Sequence, residues 1–338
     1  MGSREKNRTQ KKKKTWKKFL IFLVFEIVFT AVTMPLLIFY GPFENVKKTL
    51  VGTAWNTLRH QYIAKIFLSD EAIHRILGSS FSADPVASGE EVQKLEFGVN
   101  HSDRIEIYNI DGGNFKGKLM IIFDPTKVKV GYSSQMPESG EKTSSIAKRN
   151  GAIAAINAGG FMDKGWTGTG GAPMGFIIHD GKIIANQIKD ENVKQDTAAF
   201  TDKGMLIVGR HSMAQLKKLG VKEGVSFGPP LVVNGKPTIT QGDGGWGINP
   251  RTAIGQREDG AVLFLTIDGR SLNSLGATLR DCQDILLQYK AVNAVNLDGG
   301  SSTTMYYNNK VINRPSDALG ERFVPSVFMV VPGKEGEQ

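Results

Sequence analysis

The sequence predicts an α+β fold: mixed β-sheets with a few packed helices, preceded by one transmembrane helix and a helical stem. Three observations carry that reading. From about residue 95 the chain is a series of short apolar runs divided by glycine turns, several at hairpin spacing. Helical signals in that region are few, with one clear amphipathic stripe at Leu279–Tyr289. The first forty residues join a basic tail to a long apolar run.

In the basic tail, residues 1–18, nine Lys or Arg face a single acid, Glu5, which is +8 of the chain's net +9. The body is thus close to neutral, and its composition excludes a basic nucleic-acid platform; no nucleic-acid partner is expected. Phe19–Tyr40 is a 22-residue apolar run interrupted by Glu26 and two threonines. At about 1.5 Å per residue it spans roughly the 30 Å of a bilayer core. The positive-inside rule puts residues 1–18 in the cytoplasm and the rest outside, and membrane lipid is the expected partner of residues 19–40. No small-x-small cleavage site follows, so a signal anchor is expected rather than a cleaved leader. Glu26 admits two readings, a carboxylate snorkelling toward the cytoplasmic leaflet or a contact with a partner helix.

Residues 41–78 carry Val46, Leu50, Ala54, Trp55, Leu58, Tyr62 and Ile66 at helical spacing and form the expected stem. Residues 79–94, rich in Ser, Ala, Pro and Gly, form a linker. The domain proper runs over 95–332, with 333–338 as a tail. Strands are expected at Lys118–Phe123 and Val128–Tyr132, around a turn at Asp124–Lys127. A short helix near Ser145–Asn150 is expected to end at Gly151, followed by a buried strand at Ala152–Ala158. Hairpins are expected around His179-Asp180-Gly181 and Asp202-Lys203-Gly204. Val262–Ile267 and Ala291–Leu297 are apolar enough to be buried strands. Thr278 is placed to cap the Leu279–Tyr289 helix, whose inner face includes Leu279, Cys282, Ile285, Leu286 and Tyr289.

The chemistry lies at strand ends. Ala152–Ile156 runs into Asn157-Ala158-Gly159-Gly160, Val262–Ile267 into Asp268-Gly269-Arg270, and Ala291–Leu297 into Asp298-Gly299-Gly300-Ser301-Ser302. Glycine after a polar residue lets backbone N–H groups turn toward a ligand and form an anion nest. Arg251, Arg270, Arg314 and Arg322 lie within or beside these motifs, and guanidinium forks match phosphate. Asp298, Glu321 and Asp268 are the carboxylates available for acid, base or nucleophile work. Each aspartate before glycine could instead simply make an Asx turn. Asn157, Gly159, Gly160, Arg251, Arg270, Gly299, Gly300, Ser301, Ser302, Arg314 and Arg322 are the expected substrate-binding set.

The five histidines, His60, His74, His101, His179 and His211, lie outside every cluster, and Cys282 is the only cysteine. This argues against a histidine triad, a Cys-based zinc site and an internal disulfide. Asp243, Asp268 and Asp298 offer oxygens that would suit Ca²⁺ or Mg²⁺, but no spacing demands a metal. No metal or other cofactor is expected. Gln241–Gly247 is too glycine-rich for a strand and reads as a mobile loop. Its Trp246 could stack on a sugar or anchor the loop.

Taken in order, these motifs resemble the phosphodiester glycosidase family. The resemblance rests on Ile156-Asn157-Ala158-Gly159-Gly160-Phe161, Gly175–Ile178 before Asp180-Gly181-Lys182, Pro250-Arg251-Thr252-Ala253-Ile254-Gly255, Ile267-Asp268-Gly269-Arg270, Asn296–Ser302, Asn313-Arg314-Pro315 and Glu321-Arg322. It covers roughly 95–332. It implies hydrolysis between a sugar's anomeric carbon and a phosphodiester, with a phosphate-containing surface glycan as substrate. The family's lysosomal member is cysteine-rich and anchored at its C-terminus. This chain has one cysteine and an N-terminal apolar run, so it resembles a bacterial surface member. Teichoic acids, phospho-linked capsules and exopolysaccharides are the expected substrate classes. Two rivals remain open: a non-catalytic anionic-polysaccharide-binding module, and a glycosyl or glycosyl-phosphate transferase.

Overall fold

The computed structural model describes residues 2–43, 46–47, 50–51, 54, 61–69, 71–73, 76, 101–162 and 169–333. The 79–94 linker and much of the 41–78 stem lie outside the described residues. Gly2–Tyr40 is one helix, and its Trp16–Tyr40 part is apolar (mean hydropathy 2.4) and exposed over most of its length. By length and composition this is the one helix of the described residues able to cross a membrane. Within the stem, Gln61–Lys65 is helical. Phe39, Val51, Ala54, Ala64 and Ile73 bury one another there, and the Phe39 and Phe67 rings stack 4.7 Å apart.

The domain is α+β, and every strand ladder among the described residues is antiparallel. A seven-stranded sheet runs in the order Ile105–Asp111, Lys116–Ile122, Val262–Ile267, Arg251–Arg257, Ala291–Leu297, Pro230–Val233, Lys236–Pro237. A second sheet orders Leu206–Ser212, Lys194–Thr201, Val221–Val225, Phe176–His179 and Lys182–Asn186. A third orders Lys310–Val311, Met305–Tyr307, Ala154–Asn157, Ser326–Val330 and Val128–Tyr132. Both expected hairpins form, as Phe176–His179 with Lys182–Asn186 and Lys194–Thr201 with Leu206–Ser212. The strands around Asp124–Lys127 do not make a hairpin. That turn is a 3-10 segment capped by Asp124, and it carries the chain from the first sheet into the third.

All three sheets bury one face in a common core. Ile254, Phe264 and Leu297 come from the first sheet, Ile177, Phe200 and Val225 from the second, and Val130, Ile156 and Phe328 from the third. Each outer face carries its own helix. Leu279–Gln288 covers the first sheet through Leu279, Cys282 and Leu286. Met213–Lys218 covers the second through Met213 and Leu216. Thr143–Arg149 covers the third through Ile146 and Ala147. Central strands are therefore apolar on both faces, which is why Val262–Ile267 and Ala291–Leu297 read as near-continuous hydrophobic runs. The cap expected at Thr278 forms, as a capping box with Asp281. A buried carboxylate, Glu223, ties the second sheet to the third. It accepts from the Val130 and Asp180 backbone N–H groups at 2.9 and 3.2 Å and lies 3.1 Å from His179 Nδ1.

Candidate active site

The ends of Ala154–Asn157 and Ala291–Leu297 are stitched together. Asn157 is fully buried. Its Nδ2 donates to the Asp298 carbonyl at 2.5 Å, and its Oδ1 accepts from Thr252 Oγ1 at 2.8 Å and the Thr304 N–H at 3.0 Å. The Asp298 N–H in turn donates to the Ala158 carbonyl. Asn157 therefore fixes the Asp298 backbone from the neighbouring sheet. A sequence-local reading cannot see this, because 141 residues separate the two.

Beyond Asp298 the chain turns through Gly299 and a 3-10 segment, Gly300–Ser302. Gly299 passes so close to Pro250 that a Cβ would sit 2.7 Å from the Pro250 carbonyl oxygen. Gly300 has φ +61°, in the left-handed region that favours glycine. This turn brings Ser302 back to the carboxylate. Burial pushes the Asp298 carboxyl up to about 6, against the hydroxyl of Ser302, the charge of Arg322 and the Gly299 N–H, which favour ionisation. Its Oδ2 is buried with no hydrogen-bond partner among the described residues. So are the Thr303 and Thr304 hydroxyl oxygens beside it in sequence.

Arg322 acts on this carboxylate through its charge, and Arg270 adjoins Arg322 at the same turn. Arg270, itself in a left-handed backbone conformation (φ +57°), donates to Ser301 Oγ at 3.0 Å and reaches Asn249 Oδ1 at 3.5 Å. Partial burial, and then the like charge of Arg322, lower its pKa. Arg322 lies over the Phe161 ring, 5.0 Å from its centroid. Two guanidiniums that repel each other beside a carboxyl held above its usual range form a site that gains from binding an anion. Gly159 and Gly160 form the adjoining wall. The Gly159 N–H donates to Ser326 Oγ at 3.1 Å, and Gly160 packs against the Phe227 ring.

Other expected site residues take different places. Arg251 is 3% exposed and does not face ligand; it donates to the carbonyls of Ala277, Trp246 and Gly247 at 3.0, 3.0 and 2.6 Å. Burial lowers its pKa to about 10. The 241–247 loop is accordingly fastened, not mobile: Arg251 holds its carbonyls and Trp246 packs edge-on against Phe227, centroids 6.3 Å apart. Glu321 spends both carboxylate oxygens on Ser144, accepting from its N–H and hydroxyl at the start of Thr143–Arg149. Asp268 pins the 313–314 turn, accepting from Asn313 Nδ2 at 3.2 Å and the Arg314 N–H at 3.0 Å, while burial raises its pKa. Arg314 contributes that N–H and leaves its side chain exposed. Sequence reading missed Asn249, Asn313 and Phe161 as individual contributors, although all three sat inside or beside motifs already singled out. Nothing in the sequence marks Ser144, 177 residues from Glu321.

The model of the phosphodiester glycosidase family matches residues 150–331, more than half of the chain. The chain belongs to that family. It is 32% identical over 215 residues to an uncharacterized SPbeta prophage-derived protein, YomE, of Bacillus subtilis, covering 62% of this chain and 32% of that protein. It is 39% identical over 70 residues to bovine N-acetylglucosamine-1-phosphodiester alpha-N-acetylglucosaminidase, 21% of this chain and 13% of the enzyme. The chain thus spans a third or less of the length of these relatives. The zebrafish enzyme's catalytic domain, solved in a form auto-inhibited by its pro-peptide, superposes with a TM-score of 0.57 at 24% identity. That match covers 68% of this chain and 83% of the zebrafish chain, and it shows a shared fold.

Proposed function

We propose that the domain hydrolyses the glycosidic bond of a sugar-1-phosphodiester in a cell-surface glycopolymer such as a teichoic acid, capsule or exopolysaccharide. The observation that carries this reading is Asp298: a carboxyl poised near 6, with one oxygen unpartnered, under the charge of Arg322, which also acts on Arg270. The arginines hold the phosphate and stabilise it as it leaves. A phosphate leaving group needs charge stabilisation more than protonation, so the useful form of Asp298 is the ionised one. Asp298 draws the proton from a water, or attacks the anomeric carbon itself, as the C1–O bond breaks. Water's oxygen ends on the sugar, and the bridging oxygen leaves with the phosphate. Ser302 holds the carboxylate, and Asn157 holds the Asp298 backbone beneath it. Glu321 and Asp268, both engaged by protein donors, position the arginine-bearing turns.

The apolar helix Trp16–Tyr40 supports a membrane-anchored enzyme with its N-terminus cytoplasmic and its domain outside. The bovine relative's name makes an alkyl phosphodiester of N-acetylglucosamine-1-phosphate the first probe. The purified full chain is expected to release free sugar from it, and Asp298→Asn is expected to release none. A wild type that binds the diester without turnover would establish the binding-module reading instead.

A further inference from the structure

Two leucines at the mouth of this site stand in water. Leu272 is fully exposed and Leu319 is 90% exposed. No other large apolar side chain in the described part of the domain exceeds 53%, the value of Leu275. Isolated exposed leucines are ordinary, but a cluster from separate loops marks a contact surface. These belong to different loops around one arginine. Leu272 tips the Ser271–Ser274 turn directly after Arg270, whose N–H donates to the Leu275 carbonyl at 3.2 Å. Leu319 tips the Asp317–Gly320 turn, closed by its own N–H donating to Asp317 Oδ1 at 2.9 Å. That turn reaches the same place: Ser316 Oγ donates to the Gly300 carbonyl at 3.4 Å, and the Asp317 charge acts on Arg270. Ile248, also exposed, adjoins Asn249, which accepts from Arg270.

We propose that this rim meets an anionic lipid surface, and that the sugar phosphodiester cleaved here is carried by a lipid. The proposal rests on the reading of the Asp298 site as the place of hydrolysis. Two features favour a bilayer as the occupant. Of the charges among the leucines, the two exposed ones, Arg270 and Arg314, are cationic and match lipid phosphates, while the one acid, Asp317, is partly buried and accepts from the Leu319 N–H. The same chain carries the apolar Trp16–Tyr40 helix, which would keep the domain at a bilayer. Leucine tips entering the acyl boundary beside arginines at the headgroup level would place a lipid's phosphodiester against Asp298.

The test uses the full chain in nanodiscs of phosphatidylcholine and phosphatidylglycerol. Cys282 is fully buried, so Leu272→Cys or Leu319→Cys gives one accessible thiol for an environment-sensitive dye. Lys236→Cys, on the exposed turn beside Val292 and Asn293 at the far end of the Asp298 strand, is the control. Dyes at 272 and 319 are expected to shift blue and be quenched by brominated lipid, with neither change at 236. Water-like emission at 272 and 319 would overturn the proposal. A blue shift without lipid quenching would overturn it too, because another copy of the chain would then cover the rim. In parallel, the ratio of kcat/KM for long-chain over short-chain alkyl phosphodiesters of N-acetylglucosamine-1-phosphate is expected to fall about tenfold or more in the Leu272→Ser, Leu319→Ser double variant. Dye quenching with no hydrolysis of either diester would leave the lipid contact standing and remove the enzymatic reading beneath it. Hydrolysis with an unchanged ratio and no quenching would do the reverse.

Discussion

Replacing Asp298 with Asn should abolish activity and stabilise the protein. Burial raises this carboxyl from 3.8 to about 6. A shift of about two units corresponds to roughly 3 kcal/mol of stability withheld once the group is ionised. Part of the residue reaches solvent, and the amide brings a donor that needs a partner, so a net gain of about 1–2 kcal/mol is the better expectation. For a domain of this size that is a rise in Tm of roughly 2–8 °C. The sign with pH is fixed. The native pKa is raised, so the wild type loses stability as pH climbs from about 3.8 through about 6 and loses no more above that. The two proteins should therefore differ most above pH 6 and converge as pH falls below 4. Thermal melts of both from pH 4 to 8 supply the measurement, alongside hydrolysis assays in which the variant loses about 10²–10⁴-fold in rate. An inactive variant that is less stable than wild type at pH 7.5 would refute the reasoning, because Asp298 would then be a structural partner.

Other substitutions separate scaffold from chemistry. Because the ionised form of Asp298 is the working one, wild-type kcat/KM should rise with pH to a plateau above about 6, and a profile falling there would contradict the assignment. Arg251→Met should cost about 3 kcal/mol or more and open 241–247 to limited proteolysis, since three carbonyls lose a charged donor. Gly299→Ala places a Cβ against the Pro250 carbonyl; a loss of about 1–3 kcal/mol by denaturant unfolding, with reduced kcat, is expected. Glu223→Gln should destabilise by about 2–4 kcal/mol in urea unfolding. Glu223 raises the His179 pKa, so the His179 part of that loss is largest below about pH 6.5 and fades as pH rises through the native value.

Strands were legible where packing is two-sided. Val262–Ile267 and Ala291–Leu297 match the sequence reading residue for residue, because burial on both faces leaves an unbroken apolar run. The Thr278 cap was legible because capping is local. Partnership across sheets was not. The Asp124 turn and its two strands were legible, but nothing in their sequence says that the strands enter different sheets. Arg251 looked like a phosphate ligand because guanidinium chemistry is the same whether it meets phosphate or three backbone carbonyls. Glu321 looked free because its partner, Ser144, lies on a distant helix. Asp298 stood out because a carboxylate at the end of a buried strand, followed by small residues, has few local partners.

The central claim is that the glycosidic bond, and not a phosphoester bond, is cut. Hydrolysis of the alkyl phosphodiester of N-acetylglucosamine-1-phosphate by the full chain in H₂¹⁸O decides it. Cleavage at C1 puts ¹⁸O on the released sugar and leaves the alkyl phosphate unlabelled, with no isotope shift in its ³¹P signal. Label in the phosphate would show attack at phosphorus and contradict the account.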